Sequence, residues 1–291
     1  MKRNKKNTIK SKKNTIKSKK NTIKSKKNTI KSKKNNDMII HQIYGIFDDG
    51  VPLKDIKIFN DNVIKTRKYC KKNNIKHQLW NLHGDKTIIN DGNKDIKIKS
   101  MSCNDLIKNK FKEYTSLWNK LKKKPTESNP HFNPILAADF IRYCILYEHV
   151  GIYIDCDIHP ISGKYNKLKE YYNKYPFFFV HWADDKKKLP YNAIMGSSKI
   201  KQQIFTKIID ECEKSYNKNV NKPIYKQWKG RFIFQVTGHY MINRVIKKEK
   251  VQSNVLNILR VTNKQNNIVC DKPPKCPNAL FEDSNASVWY Q

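Results

Sequence analysis

The rhythm of apolar and polar positions changes near residue 38, where periodic patterns begin. Met38 to Tyr44 is an almost continuous apolar run closed by Gly45, which predicts a short buried strand, followed by a loop through Asp48, Asp49, Gly50 and Pro52. From about Leu53 to Lys72, Ile56, Phe59, Val63, Ile64 and Tyr69 recur at helical spacing, and Ile75 to Trp80 predicts a second strand. Strand, helix and strand at this separation predict a parallel βαβ unit. Residues 86–99 are polar and predict only an edge strand or an excursion. Asn104 is placed to cap a helix carrying Leu106, Ile107, Phe111, Tyr114, Leu117, Trp118 and Leu121, which ends before Pro125.

The stretch 133–160 is the most informative. Asn133 as N-cap and Pro134 at the first helical position open a helix through Leu136, Ala137, Phe140, Ile141, Cys144, Ile145, Tyr147 and Glu148 to about His149, and Gly151 stops it. Ile152, Tyr153 and Ile154 predict a strand that emerges at Asp155-Cys156-Asp157, before Pro160. In extended chain, side chains at i and i+2 point the same way, so the two carboxylates are expected to face one point. Hard oxygen ligands suit Mg²⁺ or Mn²⁺, and the carboxyl end of a strand in an open α/β sheet is where ligands bind. Taken alone, the pair is also what two exposed acids at a strand end look like. Asp139 and Arg142 share one face of an otherwise apolar helix, which requires a partner or ligand for each charge; an internal ion pair is the plain alternative.

Phe177 to Val180 predicts a further buried strand. Trp80, Trp118, Trp182 and Trp228 read as packing residues, and His41 as a satisfied core histidine. Asp184 to Lys188 reads as a solvated loop.

Charge redraws the N-terminus. Of 60 Lys and Arg in 291 residues, 16 lie in residues 1–36, which contain no acid; residues 37–291 hold 44 basic against 25 acidic residues. The first segment repeats Lys-Asn-Thr-Ile-Lys-Ser-Lys every seven residues, with one isoleucine per repeat (Ile9, Ile16, Ile23, Ile30), where a coiled coil needs two apolar seams. A disordered polycationic arm over 1–36 is expected, able to make nonspecific contact with polyanions or simply solvated, ahead of one domain over 37–291. Seven scattered cysteines, including Cys270 and Cys276 beside a Pro-Pro turn, fit a reducing compartment rather than a disulfide framework or closed zinc site. No apolar run reaches the roughly 18–20 residues of a membrane span or forms a signal-peptide core, so a soluble, cytoplasmic protein is expected, with the Asn285-Ala286-Ser287 sequon unused.

Ala138, Asp139, Arg142, Tyr143, Leu146 and Tyr147, then Gly151, Tyr153, Asp155 and Asp157, together resemble the sugar-nucleotide-binding region of DXD-containing glycosyltransferases, a group of Golgi-type mannosyltransferases and capsular sugar transferases similar in core to large glucosylating toxins. Ile39 to Gly45 resembles the family's opening strand, Ile75 to Trp80 its second strand, Asn192 to Ser197 a segment near the donor or acceptor sugar, and Thr237-Gly238 its Thr-Gly-Pro turn with His239 in place of Pro. Asn285-Ala286-Ser287-Val288-Trp289 is similar to the toxins' Asn-x-Ser-x-Trp. Val150 departs from the usual Gly-Gly pair, and a C-terminal His before Ser-Trp is absent.

The resemblance implies a GT-A-like (Rossmann-like) α/β fold: a mixed, mostly parallel sheet flanked by helices, with helical insertions. It implies metal-dependent transfer of a hexose from a UDP- or GDP-sugar to a glycan or protein acceptor, with retention by a front-face route. Mn²⁺ or Mg²⁺ would be held by Asp157, with Asp155 on the ribose or metal-bound water, and by Asn285 and Ser287. Asp139 and Arg142 would meet donor-sugar hydroxyls, Tyr44 would stack on the base, and Ser287 and Trp289 would cover the diphosphate. The alternatives are a catalytically inactive relative that binds polyanions or nucleic acid through the basic arm, and a metal-dependent phosphohydrolase using the same aspartates. The Lys-, Asn- and Ile-rich composition with a repeat arm also looks like glycosyltransferases of giant DNA viruses.

Overall fold

Strand β1 (Ile39–Ile43) leads through a 3₁₀ turn at Leu53–Asp55 into helix α1 (Lys57–Lys72) and strand β2 (Lys76–Asn81). The two strands pair in parallel, Ile39 opposite Lys76 through Ile43 opposite Trp80, so the expected βαβ unit is present. Its helix is shorter than the apolar spacing suggests, because Ile56 takes φ −98° and ψ 88° and separates the 3₁₀ turn from α1. The structure, a computed structural model, describes residues 38–46, 51–123, 134–181, 189–222, 229–261 and 279–284. The repeat arm, Asn133, Trp182, the 184–188 loop, Trp228, Cys270 and Cys276 lie outside the described residues.

Residues 86–99 form a hairpin, β3 (Lys86–Asn90) and β4 (Asp95–Lys99), rather than a lone edge strand. Its turn is held by Asp91 Oδ1, which accepts the amides of Asn93 and Lys94, and Gly92 supplies φ +95°. The hairpin docks on α1 through reciprocal bonds between Asn60 and the Asn90 main chain (2.7 and 2.8 Å), burying Ile89 and Ile98 against Phe59, Val63, Leu79 and Cys156. The edge strand β5 (Met101–Ser102) follows.

The single helix expected from Asn104 to Leu121 is two helices, α2 (Cys103–Lys110) and α3 (Thr115–Leu121), with a 3₁₀ turn at Lys112–Tyr114 between them. Phe111 breaks the run: at φ −136° it leaves helical geometry, and its buried ring meets Tyr147 at 5.6 Å. The cap is Ser102, whose hydroxyl accepts the Asp105 amide, while the Asn104 carbonyl oxygen receives Trp118 Nε1 (2.9 Å).

The remaining elements are α4 (Pro134–Glu148), β6 (Gly151–Ile154), β7 (Ile158–Pro160), α5 (Tyr165–Lys174), β8 (Phe177–His181), β9 (Pro190–Ser197), α6 (Gln203–Asn219), α7 (Lys229–Val236), α8 (His239–Lys248), β10 (Val255–Leu256), β11 (Leu259–Val261) and β12 (Phe281–Asp283). The main sheet runs β10-β8-β9-β6-β1-β2-β5; β9 is antiparallel to both neighbours and every other pair is parallel. A smaller sheet, β11-β12-β7, lies beyond the end of β6.

Alternation sorts the side chains to two faces. Ile40, Ile152, Ile154, Phe178 and Val180 pack toward α5 and the end of α1, whereas Tyr153, Phe179 and Met195 pack under α4 and α6–α8. This is the mixed, mostly parallel sheet flanked by helices that the resemblance implies. Trp80 and Trp118 are core residues, as expected. So is His41, whose Nε2 meets Val150 O (3.0 Å) and whose Nδ1 accepts Trp80 Nε1–H (3.2 Å). Among the described residues, no helix is long and apolar enough to cross a membrane.

Candidate active site

The central strand β6 carries the Asp-x-Asp sequence past its carboxyl end, and a glycine brings the strand there. Gly151 has φ +144°, and a Cβ on it would lie 2.4 Å from Ile39 O and 2.7 Å from His41 Nε2. Val150, which replaces the first of the usual glycine pair, has no positive φ, so a β-branched residue fits there.

Beyond Ile154 the chain is not extended, as i/i+2 reasoning assumed. It turns, and Ile158 N–H bonds back to Asp155 O at 3.0 Å. The two aspartates therefore enter different surroundings. Asp155 continues the Tyr153 side of the strand: Tyr153 Oη donates to its Oδ1, and Arg142 Nη1 lies 3.1 Å from the same oxygen. Asp157 lies at the entrance to β7, where β12 runs antiparallel; its main-chain oxygen accepts the Ser284 amide at 3.1 Å.

Arg142 is the hub of the first surrounding. It pairs with Asp139 Oδ1 (2.9 Å), donates to Asn192 O (2.8 Å) and Ala138 O (3.2 Å), and stacks over the Tyr153 ring at 4.7 Å. Asp139 also accepts from Asn192 Nδ2 (2.8 Å) and Thr237 Oγ1 (2.9 Å). The internal ion pair open at the sequence level is thus present, and it extends to Asp155. Burial pushes the Asp139 carboxyl up to about 6 despite Arg142. Burial also raises Asp155, against the pull of Arg142 and the Tyr153 bond. For Arg142 burial works the other way, but Asp155, Tyr153 and Asp139 outweigh it and raise its value.

In the second surrounding Asp157 forms no ion pair among the described residues, and Arg142 acts on it only as the weakest of several influences. Asp157 is 8% exposed, and its Oδ1 is buried with no hydrogen-bond partner. Burial first, then the Asp283 and Asp155 carboxylates, hold its carboxyl well above the usual range. Asp283, at the end of β12, is itself buried and receives Tyr191 Oη at 3.3 Å. Among the described residues, no group of three or more His, Cys, Asp or Glu forms a ready-made metal cage. The observation that fits a cation is the orphaned Asp157 oxygen, a hard donor set among like charges.

Tyr44, just past β1, sits at the same end of the sheet. Its hydroxyl donates to Val51 O, its ring packs edge-on to Phe59 at 6.2 Å, and burial lifts it to about 12. Asn285, Ser287 and Trp289 lie outside the described residues; Ser284, immediately before them, is tied to Asp157. The structure therefore brings Asp139, Arg142 and Asp155 into one bonded network, with Asp157 beyond it across the turn and Tyr44 at the same sheet end.

Sequence reasoning missed Asp283. Its strand is three residues long and carries no periodic signal, although the acid precedes Asn285 by only two positions.

Residues 7–174 match the family described as glycosyltransferase sugar-binding region containing DXD motif. The chain belongs to this family. It is a glycosyltransferase, an enzyme that moves a sugar from a donor to an acceptor, and Asp155-Cys156-Asp157 is the one Asp-x-Asp in its sequence and falls within the match. No curated protein matches the chain in sequence. Among solved structures it is similar to the PaToxG glycosyltransferase, at 15% identity over 73% of this chain and 69% of that one, with a TM-score of 0.43. It is also similar to a glycosyltransferase involved in glycosylation of the major capsid of PBCV-1, at 11% identity over 86% and 93% of the two chains, with a TM-score of 0.40.

Proposed function

We propose that this glycosyltransferase takes a hexose from a nucleotide-sugar, UDP- or GDP-linked, and passes it to a glycan or protein acceptor with the help of Mn²⁺ or Mg²⁺. The observation that carries the reading is the buried, unpartnered Asp157 oxygen beside Asp155 and Asp283 at the carboxyl end of β6. Asp157 and Asp155 would hold the ion, with Asn285 and Ser287 following Ser284 to complete the set. Bound there, a divalent cation would offset the negative charge that grows on a departing diphosphate.

The chain's own residues supply the rest. Arg142 pairs with Asp155 at 3.1 Å and so orients it and offsets part of the burial that raises its carboxyl, on the side that would meet the ribose. Asp139, fixed by Asn192 and Thr237, forms with Arg142 the polar floor on the donor-sugar side. Tyr44 offers an aromatic face to the base, and Trp289 would cover the diphosphate. Transfer would proceed with retention by a front-face route, and the state of Asp139 argues only against its serving as the nucleophile of a double displacement: both its oxygens are engaged and it is 2% exposed. Residues 37–291 would form the catalytic domain and 1–36 a separate basic arm, so a chain lacking 1–36 should keep its turnover.

Hydrolysis of a panel of UDP- and GDP-sugars tests the reading, with Mn²⁺ or EDTA, for the wild type and Asp157→Asn. Slow release of one free sugar, dependent on Mn²⁺ and lost in the variant, is expected. Equal release with EDTA, or no turnover together with no Mn²⁺-dependent nucleotide binding, refutes it; release of inorganic phosphate instead would identify a phosphohydrolase.

A further inference from the structure

The like charges of Asp155, Asp157 and Asp283 repel one another, so the main chain that carries Asp157 must be held by something else. The holding groups come from two neighbouring strands. Gln42 on β1 is completely buried, on the face that also carries Ile40. A buried primary amide there is costly unless each polar atom is matched. Its Nε2 reaches Asp155 O at 3.2 Å and, at the long end of the range, Ile158 O at 3.5 Å. Carbonyl oxygens can only accept, so this end of the amide is the NH₂ group and Oε1 faces the other way. Oε1 meets His77 Nε2 at 2.9 Å, and since Oε1 can only accept, His77 Nε2 carries the proton. His77 stands on β2 opposite Ile40, one pleat back from Gln42.

The result is a polar strut running from His77 through Gln42 to the two carbonyls that bracket Cys156 and Asp157. Ile158 N–H to Asp155 O closes the turn from within, and Cys156 Sγ–H to Ile43 O (3.3 Å) adds a third tie to β1.

We propose that Gln42 and His77 are positioning residues of this glycosyltransferase: by clamping the Asp155 and Ile158 carbonyls they fix the direction of the Asp157 carboxylate, and so set cation affinity without touching the cation. The proposal rests on the reading of Asp157 as a cation ligand.

The test is a Mn²⁺ titration of the full-length, metal-free chain, with free Mn²⁺ followed by electron paramagnetic resonance, so that no turnover is needed. Gln42→Met keeps volume and removes every bond of the strut; the expected result is Mn²⁺ binding weakened about 10–100-fold, the usual effect of losing a group that orients a metal ligand. His77→Leu, which leaves Gln42 in place, should weaken binding in the same direction, and His77→Gln, which can return an N–H to Gln42 Oε1, should restore it. A merely structural role would lower the melting temperature in EDTA yet leave the Mn²⁺ affinity of folded protein unchanged. Wild-type affinity in folded Gln42→Met or His77→Leu overturns the proposal, and the His77 pair decides it if Gln42→Met does not fold. Failure of the underlying reading looks different: the wild type does not bind Mn²⁺, or Asp157→Asn binds it as well as the wild type, and the proposal falls with it.

Discussion

Asp157→Asn should make the metal-free protein more stable while it removes cation binding. In the wild type a carboxylate is held out of water with one oxygen unpartnered and with Asp283 and Asp155 as its charged neighbours. An unmatched buried polar group costs about 1–3 kcal/mol, and more when charged. The amide carries no charge, keeps an acceptor oxygen, and turns two N–H donors toward carboxylates. A gain of about 1–3 kcal/mol in EDTA near pH 8 is therefore expected, which for a domain of this size is a rise in Tm of about 2–10 °C.

The pH dependence follows in sign. The Asp157 carboxyl is raised in the folded state, by burial first and then by Asp283 and Asp155. Its contribution to wild-type stability is complete below the unfolded carboxylate value of about 3.9 and is lost as pH rises through the folded value. The amide suffers no such loss. The advantage of the variant should be widest at pH 8 and close toward pH 4. Saturating Mn²⁺ should invert the order, since a ligand at about 1,000 times its Kd adds about 4.1 kcal/mol to the wild type and nothing to a variant that does not bind. Thermal and urea melts at pH 8 and pH 5, each with EDTA and with Mn²⁺, measure all four corners. A variant less stable than the wild type in EDTA at pH 8, or an advantage that widens on acidification, refutes the reasoning.

Three further outcomes are expected. Arg142→Met leaves Asp139 and Asp155 buried without their shared counter-charge and should cost about 3–5 kcal/mol in urea denaturation; a loss under about 1 kcal/mol would show that the network is not held by charge. Gly151→Ala forces a Cβ to within 2.4 Å of Ile39 O at φ +144° and should cost at least ~2 kcal/mol or abolish soluble expression, whereas Val150→Gly next to it should stay within about 1 kcal/mol. His41 is pushed down to about 3, chiefly by burial, so its stabilising effect is present above 6.5 and lost as pH falls toward 3. Replacing it by Gln should flatten the loss of stability between pH 8 and pH 5 by about 2 kcal/mol, and an equally steep loss in the variant would count against a buried neutral imidazole.

What was legible in the chain divides along a physical line. Elements whose signal is a local period were readable: β1, α1 and β2 from their apolar runs, and α4 with β6 from the unbroken stripe ending at Gly151. The hairpin at 86–99 was not read, only an edge strand or an excursion: Ile96 and Ile98 do alternate with charged residues beyond Asp91-Gly92, but lysines on the outward face hid a half-buried ribbon. The break at Phe111 left no trace in the period, because the residue is apolar and buried at the spacing a continuing helix would also show, while its ring meets Tyr147 on a distant helix.

The site follows the same division. Spacing singled out Asp155 and Asp157 as candidates but not their surroundings, because these are made by groups at 42, 142 and 283 that no short window contains. One signal for them did exist. His41, Gln42, Asp139, Arg142 and Asn192 are polar residues inside segments that are otherwise apolar, and each is buried. A buried polar group must be matched by another one, so such residues mark the places where distant parts of a chain meet. In the structure His41 meets the main chain just past α4, and Gln42, its neighbour on the opposite face, meets the turn that carries Asp155 and Asp157. Adjacent residues of one strand thus hold the two ends of β6, the strand that delivers Asp155 and Asp157, so the opening strand bears on the candidate site although it supplies no carboxylate to it.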